Sequence, residues 1–244
     1  MDLPKILQNV NEFVDKESRL YSDQDKILFT FSCHQFIRYL EFIDIIYNRY
    51  KASNYNLRKQ QKKLIEYSHR RESGPLPNYI LALLEKHGEE TRILHIEIES
   101  FFIFSKIYID KIAQFINNFL GSQRSLSLQS HGKLKKNFNV YINSKNLKVP
   151  KTFLHDIDWF EKIVVDTRDK KITHQKNPRS VFGTMYSDDI SANIAISFLN
   201  PMEKDSQVNS PDIHEIVKRL ILYTMRLLRL VKRNRIHSRY HFKI

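Results

Sequence analysis

The stretch "EIESFFIFSKIYIDKIAQFINNFLG", residues 97–121, decides the fold. Its apolar residues Ile98, Phe101/Phe102, Ile109, Ile112, Ile116 and Phe119, with Ser105 among them, recur at steps of three or four, the period of one helix face. No glycine or proline interrupts the run. Gly121 follows the last apolar residue, where a helix C-terminal cap is expected. Ser105 reads as a small residue for close helix packing. Glu97 and Asp110, on the flanks, read as ion-pair partners.

The same texture extends outward along the chain. Residues 4–19 and 24–70 predict helices, the second with Phe29, Phe36, Leu40, Ile43 and Tyr47 at helical steps. "ESGPLPN" (72–78) is a break. Leu76–Lys86 predicts a short helix ended by "HGEE", and a long helix follows from Glu89 to Leu120. "GSQRSLSLQSHGKLKKNFN" (121–139) reads as a polar loop with a short helix, Ser130-His131 lying in the loop. "VPKTF" starts a helix from Lys151 to His174. "VFGTMYSDDISANIAISFL" (181–199) has β-branched and aromatic residues around a turn-like Ser-Asp-Asp and predicts a β-hairpin. Ser210 as N-cap and Pro211 at the first helical position start the last helix.

Only 5 glycines and 7 prolines in 244 residues encode few turns, which excludes an all-β or doubly wound fold. The expected fold is an all-α helical bundle with a small β-hairpin insertion near 180–200. Both sides of the break near residue 75 carry open apolar faces, so 1–244 is expected to form a single composite domain, with 1–75 as an N-terminal helical region.

Forty Lys+Arg against 27 Asp+Glu give a net charge of +13. Such a field attracts nucleic acid, an acidic membrane surface or an acidic protein. Cys33, the only cysteine, sits in an apolar run and reads as a small buried hydrophobe. "MDLPKILQNV" lacks the pattern of a signal peptide. "SFFIFSKIYI" is interrupted by Lys106 and too short to span a bilayer. A soluble, cytoplasmic protein without membrane association is expected. No glycine-rich phosphate loop or zinc-like Cys/His spacing is present, so neither cofactor nor metal is expected.

The chemistry concentrates in "VVDTRDKKITHQKNPR", residues 164–179. At about 100° per residue, Ile157, Phe160 and Val164 define a buried stripe, and Arg168 falls near its centre. An unpaired charge there would cost several kcal/mol, so Arg168 must be paired, wet in a cleft or at a subunit seam. Pairing within the chain would draw on Glu97, Glu99 or Asp110. His174 lies roughly 120° around from Arg168. The two converge if the helix end unwinds before Asn177-Pro178, or if two copies share one site. Arginine can hold a phosphate and its developing charge. Histidine can move a proton near neutral pH. Asp169 could orient either one.

"RDKKITH" resembles the R-x4-6-H signature of the HEPN (higher eukaryotes and prokaryotes nucleotide-binding) ribonucleases, and the resemblance covers residues 89–240. It implies an all-α HEPN-like core that dimerises with the two motifs facing each other. It also implies metal-independent endoribonuclease activity leaving a 2′,3′-cyclic phosphate and a 5′-hydroxyl. Arg168 and His174 would be catalytic, with Asp169 beside them. Members of the family act as toxins or anti-phage defence effectors, which implies an antitoxin or regulatory protein as partner. Others have lost catalysis and only bind RNA or a protein. Arg124 to His131 and Arg235 to His241 repeat the spacing, but only the Arg168 copy has an acidic neighbour, a helix-end position and an arginine on an apolar stripe.

In "DIHEIVKRLILYTMRLLRLVKRNRIHSRYHFKI" (212–244), Ile216, Leu220, Tyr223, Leu227 and Leu230 form an apolar seam. Arg219, Arg226, Arg229 and Arg233 form a second stripe. With Lys170 and Lys171, these arginines are the expected RNA-backbone contacts; the alternative is a solvated face followed by a disordered basic tail. "RKQQKKLIEYSHRR" (58–71) is a second basic run, a solvated face unless Tyr67 and His69 stack on bases.

Overall fold

A computed structural model describes residues 2–70, 75–121, 123, 126–169 and 212–243, with the backbone of 181–183 and 197–199. Six α-helices account for most of them: α1 (Leu3–Ser18), α2 (Asp23–Arg70), α3 (Asn78–Leu120), α4 (His131–Lys145), α5 (Lys151–Phe160) and α6 (Ile213–Arg233). The fold is all-α, as the periodicity predicts. Strands β1 (Val181–Gly183) and β2 (Ser197–Leu199) pair antiparallel, Val181 opposite Leu199. The Ser-Asp-Asp between them lies outside the described residues.

The predicted stripes are the core. Ile98, Phe101, Phe102, Ser105, Ile109, Ile112, Ile116 and Phe119 of α3 are buried, as are Ile216, Leu220, Tyr223, Leu227 and Leu230 of α6. The α2 positions Phe29, Cys33, Phe36, Leu40 and Ile43 face them, and the buried cluster runs from Leu3 to Tyr240. Burial pushes the Cys33 thiol well up, which keeps it an inert hydrophobe. Gly121 takes a positive φ of 80° at the end of α3. The last carbonyls of that helix are satisfied across the bundle: the Tyr141 hydroxyl donates to Gly121 and the Lys145 ammonium to Leu120. These acceptors would otherwise be orphans of the helix end.

Four boundaries differ from the sequence reading. The break at "HGEE" is absent, because α3 runs unbroken through Gly88. A glycine inside a helix costs about 1 kcal/mol relative to alanine, less than a long helix recovers by packing on α2. A Cβ at Gly88 would meet nothing within 4 Å. Gly88→Ala is therefore expected to stabilise the protein by about 0.5–1 kcal/mol, read as a raised denaturation midpoint with unchanged slope.

The polar segment after Gly121 holds a full 15-residue helix, α4. Ser130 caps it by accepting from the Lys133 N–H at 3.3 Å, so Ser130-His131 is a helix start. Its stripe of His131, Leu134, Phe138 and Tyr141 is buried. The last helix begins two residues later than predicted, with Asp212 as N-cap accepting from the His214 N–H at 3.0 Å. Ser210 and Pro211 lie outside the described residues.

Finally, the basic tail is folded. It bridges Tyr21 with Phe242, and the Tyr240 ring packs against Tyr21, Phe29 and Phe119. Arg235 donates twice to Glu17 of α1, at 2.6 and 2.5 Å. Asn234, at the end of α6, clamps the α4–α5 connection by donating to the Lys148 carbonyl and accepting from the Lys148 N–H. The start of α6 docks on α2, where the Tyr47 hydroxyl lies 2.5 Å from His214 Nδ1.

Candidate active site

Arg168 stands at the end of the fifth helix, and the local geometry of that helix decides where it points. α5 continues from Phe160 into a π-helical segment, Glu161–Val165, and helical turns run on to residue 169. The β-branched run Ile163-Val164-Val165 crowds a tight α-turn, and the widened turn rotates each residue by less than the 100° of an α-helix. A wheel drawn at the α-helical angle therefore fails here. Val164, Val165 and Thr167 are buried, whereas the Arg168 side chain is 34% exposed. Arg168 sits at the rim of the stripe, not at its centre.

Its partner is its own neighbour. Arg168 Nη1 donates to Asp169 Oδ1 at 2.6 Å. Arg168 Nε is buried and has no acceptor among the described residues. Of the α3 acids expected to pair with it, Glu97 and Asp110 are engaged elsewhere. Glu97, almost wholly buried, pairs with Arg49 of α2 at 2.7 Å. Asp110 accepts from Lys106 at 2.5 Å and from the His131 N–H at 2.8 Å. His174, Lys170 and Lys171 lie outside the described residues.

A polar cluster that the sequence reading missed adjoins the same helix end. His131 is fully buried beneath α5, its Nε2 donating to the Ile157 carbonyl at 3.0 Å. Its Nδ1 has no partner among the described residues. Burial lowers the imidazole pKa to about 4, against the opposing pull of the Ile157 carbonyl and Asp110. Glu161 Oε2 approaches His131 Nε2 to 3.8 Å, but with a neutral imidazole the contact is no ion pair. Burial also raises the Glu161 carboxyl; Lys135 and Lys106 oppose this, while Asp166 and Asp169 reinforce it. The carboxylates of Asp166 and Asp169 thus act on Glu161 through one field, and Asp169 joins it to Arg168. The signal for His131 is its place at the head of a stripe stepping by three and four.

The His131 shift has a consequence for stability. Its folded pKa of about 4 lies below the ordinary 6.5, so between these values the unfolded chain binds the extra proton. Stability then rises with pH across this window and is lost on acidification from about 6.5 towards 4. His131→Gln is expected to remove this component, which denaturation of both proteins at pH 7 and pH 5 would read. An equal loss in the two would contradict the assignment.

The arginines of α6 divide into two pairs. Arg219 and Arg226 converge on Asp156 of α5, a carboxylate with no exposed surface. Arg219 Nη1 lies 3.5 Å from Asp156 Oδ1 and its guanidinium 5.0 Å over the Trp159 ring. Arg226 bonds to the other carboxylate oxygen and donates to the Thr152 carbonyl at 3.3 Å. These two hold α6 to α5, because Asp156 would otherwise be a buried unpaired charge. Arg229 and Arg233 are exposed and make no ion pair among the described residues. Of the repeated spacings, Arg235 is spent on Glu17, and His241 bonds to Asp25 at 2.8 Å. Both are structural.

Among the described residues no three His, Cys, Asp or Glu side chains are grouped to hold a metal ion, and no helix is long and apolar enough to cross a membrane. No protein-family model, curated protein or solved structure matches the chain.

Proposed function

We propose that this protein is a metal-independent endoribonuclease of the HEPN type. The observation that carries the reading is Arg168: a partly exposed side chain on a widened helix end, whose ion-pair partner among the described residues is the adjacent Asp169. A phosphate oxygen accepts from the exposed side of the guanidinium. Six residues on, His174 takes the proton of the ribose 2′-hydroxyl or returns one to the leaving 5′-oxygen. Attack of the 2′-oxygen on phosphorus then gives a 2′,3′-cyclic phosphate and a 5′-hydroxyl. Arg168 stabilises the charge that gathers on the phosphoryl oxygens, and Asp169 holds the guanidinium in place. Arg229 and Arg233, together with Lys170 and Lys171, contact the RNA backbone, while Arg219 and Arg226 contribute field from the α5–α6 seam.

In this reading the protein works in the cytoplasm as a homodimer whose two motifs share one cleft. Its role is that of a toxin or anti-phage effector restrained by an antitoxin or regulatory protein. The test is total RNA incubated with the protein and a chelator, comparing wild type with the Arg168→Ala/His174→Ala variant. Cleavage by the wild type alone is expected. Cleavage that survives the double substitution overturns the assignment. Retention of RNA without cleavage by the wild type makes the protein a non-catalytic binding module.

A further inference from the structure

The far end of the α2–α3 hairpin has no part in the site at Arg168, yet it carries the second basic run. α2, with 48 residues, is about 72 Å long and α1, with 16, about 24 Å. The start of α6 still reaches Tyr47 and Tyr50, and beyond them α3 is the main element packed on α2 among the described residues. Beyond Tyr50 its buried side chains are few: Ser53, Asn54, Leu57 and Gln60. The outer surface there is both cationic and apolar. Lys59, Lys62 and Lys63 are exposed and make no ion pair among the described residues. At helical spacing Lys59, Lys63 and Tyr67 follow one another a turn apart on one face.

Where that face meets the start of α3 there is a notch of about 420 Å³, lined by Lys63, Glu66, Tyr67, Tyr79, Ile80 and Leu83. Tyr79 is 65% exposed. It meets Tyr67 edge-to-face, with ring centres 6.2 Å apart and planes at 84°. An edge-on pair leaves an aromatic face open beside a row of ammonium groups.

We infer that this end of the hairpin is a docking surface for single-stranded RNA, with one nucleobase stacked in the Tyr67–Tyr79 notch and the adjoining phosphates on Lys59, Lys62 and Lys63. Unpaired lysines complement a polyanion, and an aromatic face among them suits an unstacked base. Glu66 accepts from an N–H on the base edge. Notch and lysines together favour RNA over an acidic peptide, which offers the charge but no ring. The inference rests on the part of the proposed function that makes RNA the ligand, and not on cleavage.

The test uses the full chain and a fluorescently labelled 2′-O-methyl oligonucleotide of twelve nucleotides, which cannot be cleaved through its 2′-position. Anisotropy is followed across a salt series. Lys59→Ala/Lys62→Ala/Lys63→Ala is expected to weaken binding and to lower the slope of log affinity against log salt by about 0.7 for each phosphate no longer neutralised. Tyr67→Ala is expected to weaken binding about 5- to 100-fold, whereas Tyr67→Phe keeps the ring and the affinity. Unchanged affinity and slope in the triple variant would overturn the inference. So would equal binding by Tyr67→Ala and Tyr67→Phe, or equal competition by polyglutamate and by RNA. The three lysines are exposed and Tyr67 is half-buried, and unchanged helical circular dichroism in each variant separates weakened RNA binding from unfolding. Binding by the wild type without cleavage of ordinary RNA would remove the nuclease reading and leave this surface standing.

Discussion

Arg168→Ala is expected to reduce RNA cleavage by about 10²–10³-fold, the loss that accompanies removal of one preorganised donor to a developing oxyanion. His174→Ala is expected to cost about 10²–10⁴-fold, in the range of general acid–base catalysis. Arg168→Lys keeps the charge but not the planar fork, and Asp169 can no longer hold it through a guanidinium nitrogen, so only partial recovery is expected. The two losses need not add, because residues acting on one transition state fail together. Single-turnover cleavage of a defined RNA measures them. Arg168 sits at a partly exposed helix rim and its ion-pair partner is the adjacent residue, so its removal leaves no buried charge behind. Thermal unfolding close to that of the wild type should accompany the loss of activity.

Arg235→Ala is expected to destabilise the fold by about 3–5 kcal/mol, the cost of leaving one member of a buried ion pair without its partner. Glu17 is 1% exposed, and the two Arg235 bonds carry its charge. After the substitution the Tyr21 hydroxyl, at 3.3 Å, would be the donor left to it among the described residues. The pair also joins the first helix to the C-terminal segment, so the loss propagates to the Tyr240 packing against Tyr21 and Phe29. Glu17→Gln/Arg235→Ala should recover part of the loss at pH 7, because it removes the charge left without its partner. A double variant no more stable than Arg235→Ala would show that Glu17 finds another cation.

The residues explain which parts of this molecule can be foreseen. The α3 and α6 stripes are legible because each buries an apolar residue on nearly every turn, and no single position decides them. Gly88 misleads because one exposed glycine is a small penalty beside a helix-long interface. α4 is hidden by its lysines, although His131, Leu134, Phe138 and Tyr141 step by three and four like any buried face.

Within the candidate site, Asp169 is legible through its adjacency to Arg168, and the structure pairs them. The depth of Arg168 is not legible, because no periodicity announces a π-helical turn and every angle past Phe160 depends on it. The engagement of Arg219 and Arg226 does have a signal in the sequence. Asp156 lies on the stripe of Phe153, Ile157 and Phe160, and a buried carboxylate there requires a cation from the facing helix. The buried charge expected at Arg168 is found at Asp156 instead.

Everything proposed for the site turns on Arg168 and His174 assisting attack of the 2′-oxygen on phosphorus, with the bond to the 5′-oxygen breaking, without a metal. The most direct measurement is the chemistry of the fragment ends that the wild-type protein leaves on RNA in the presence of a chelator. The expected ends are 2′,3′-cyclic phosphates and 5′-hydroxyls, absent from the same reaction with His174→Ala. Fragments ending in 3′-hydroxyls and 5′-phosphates, or fragments that persist unchanged in that variant, would contradict the mechanism.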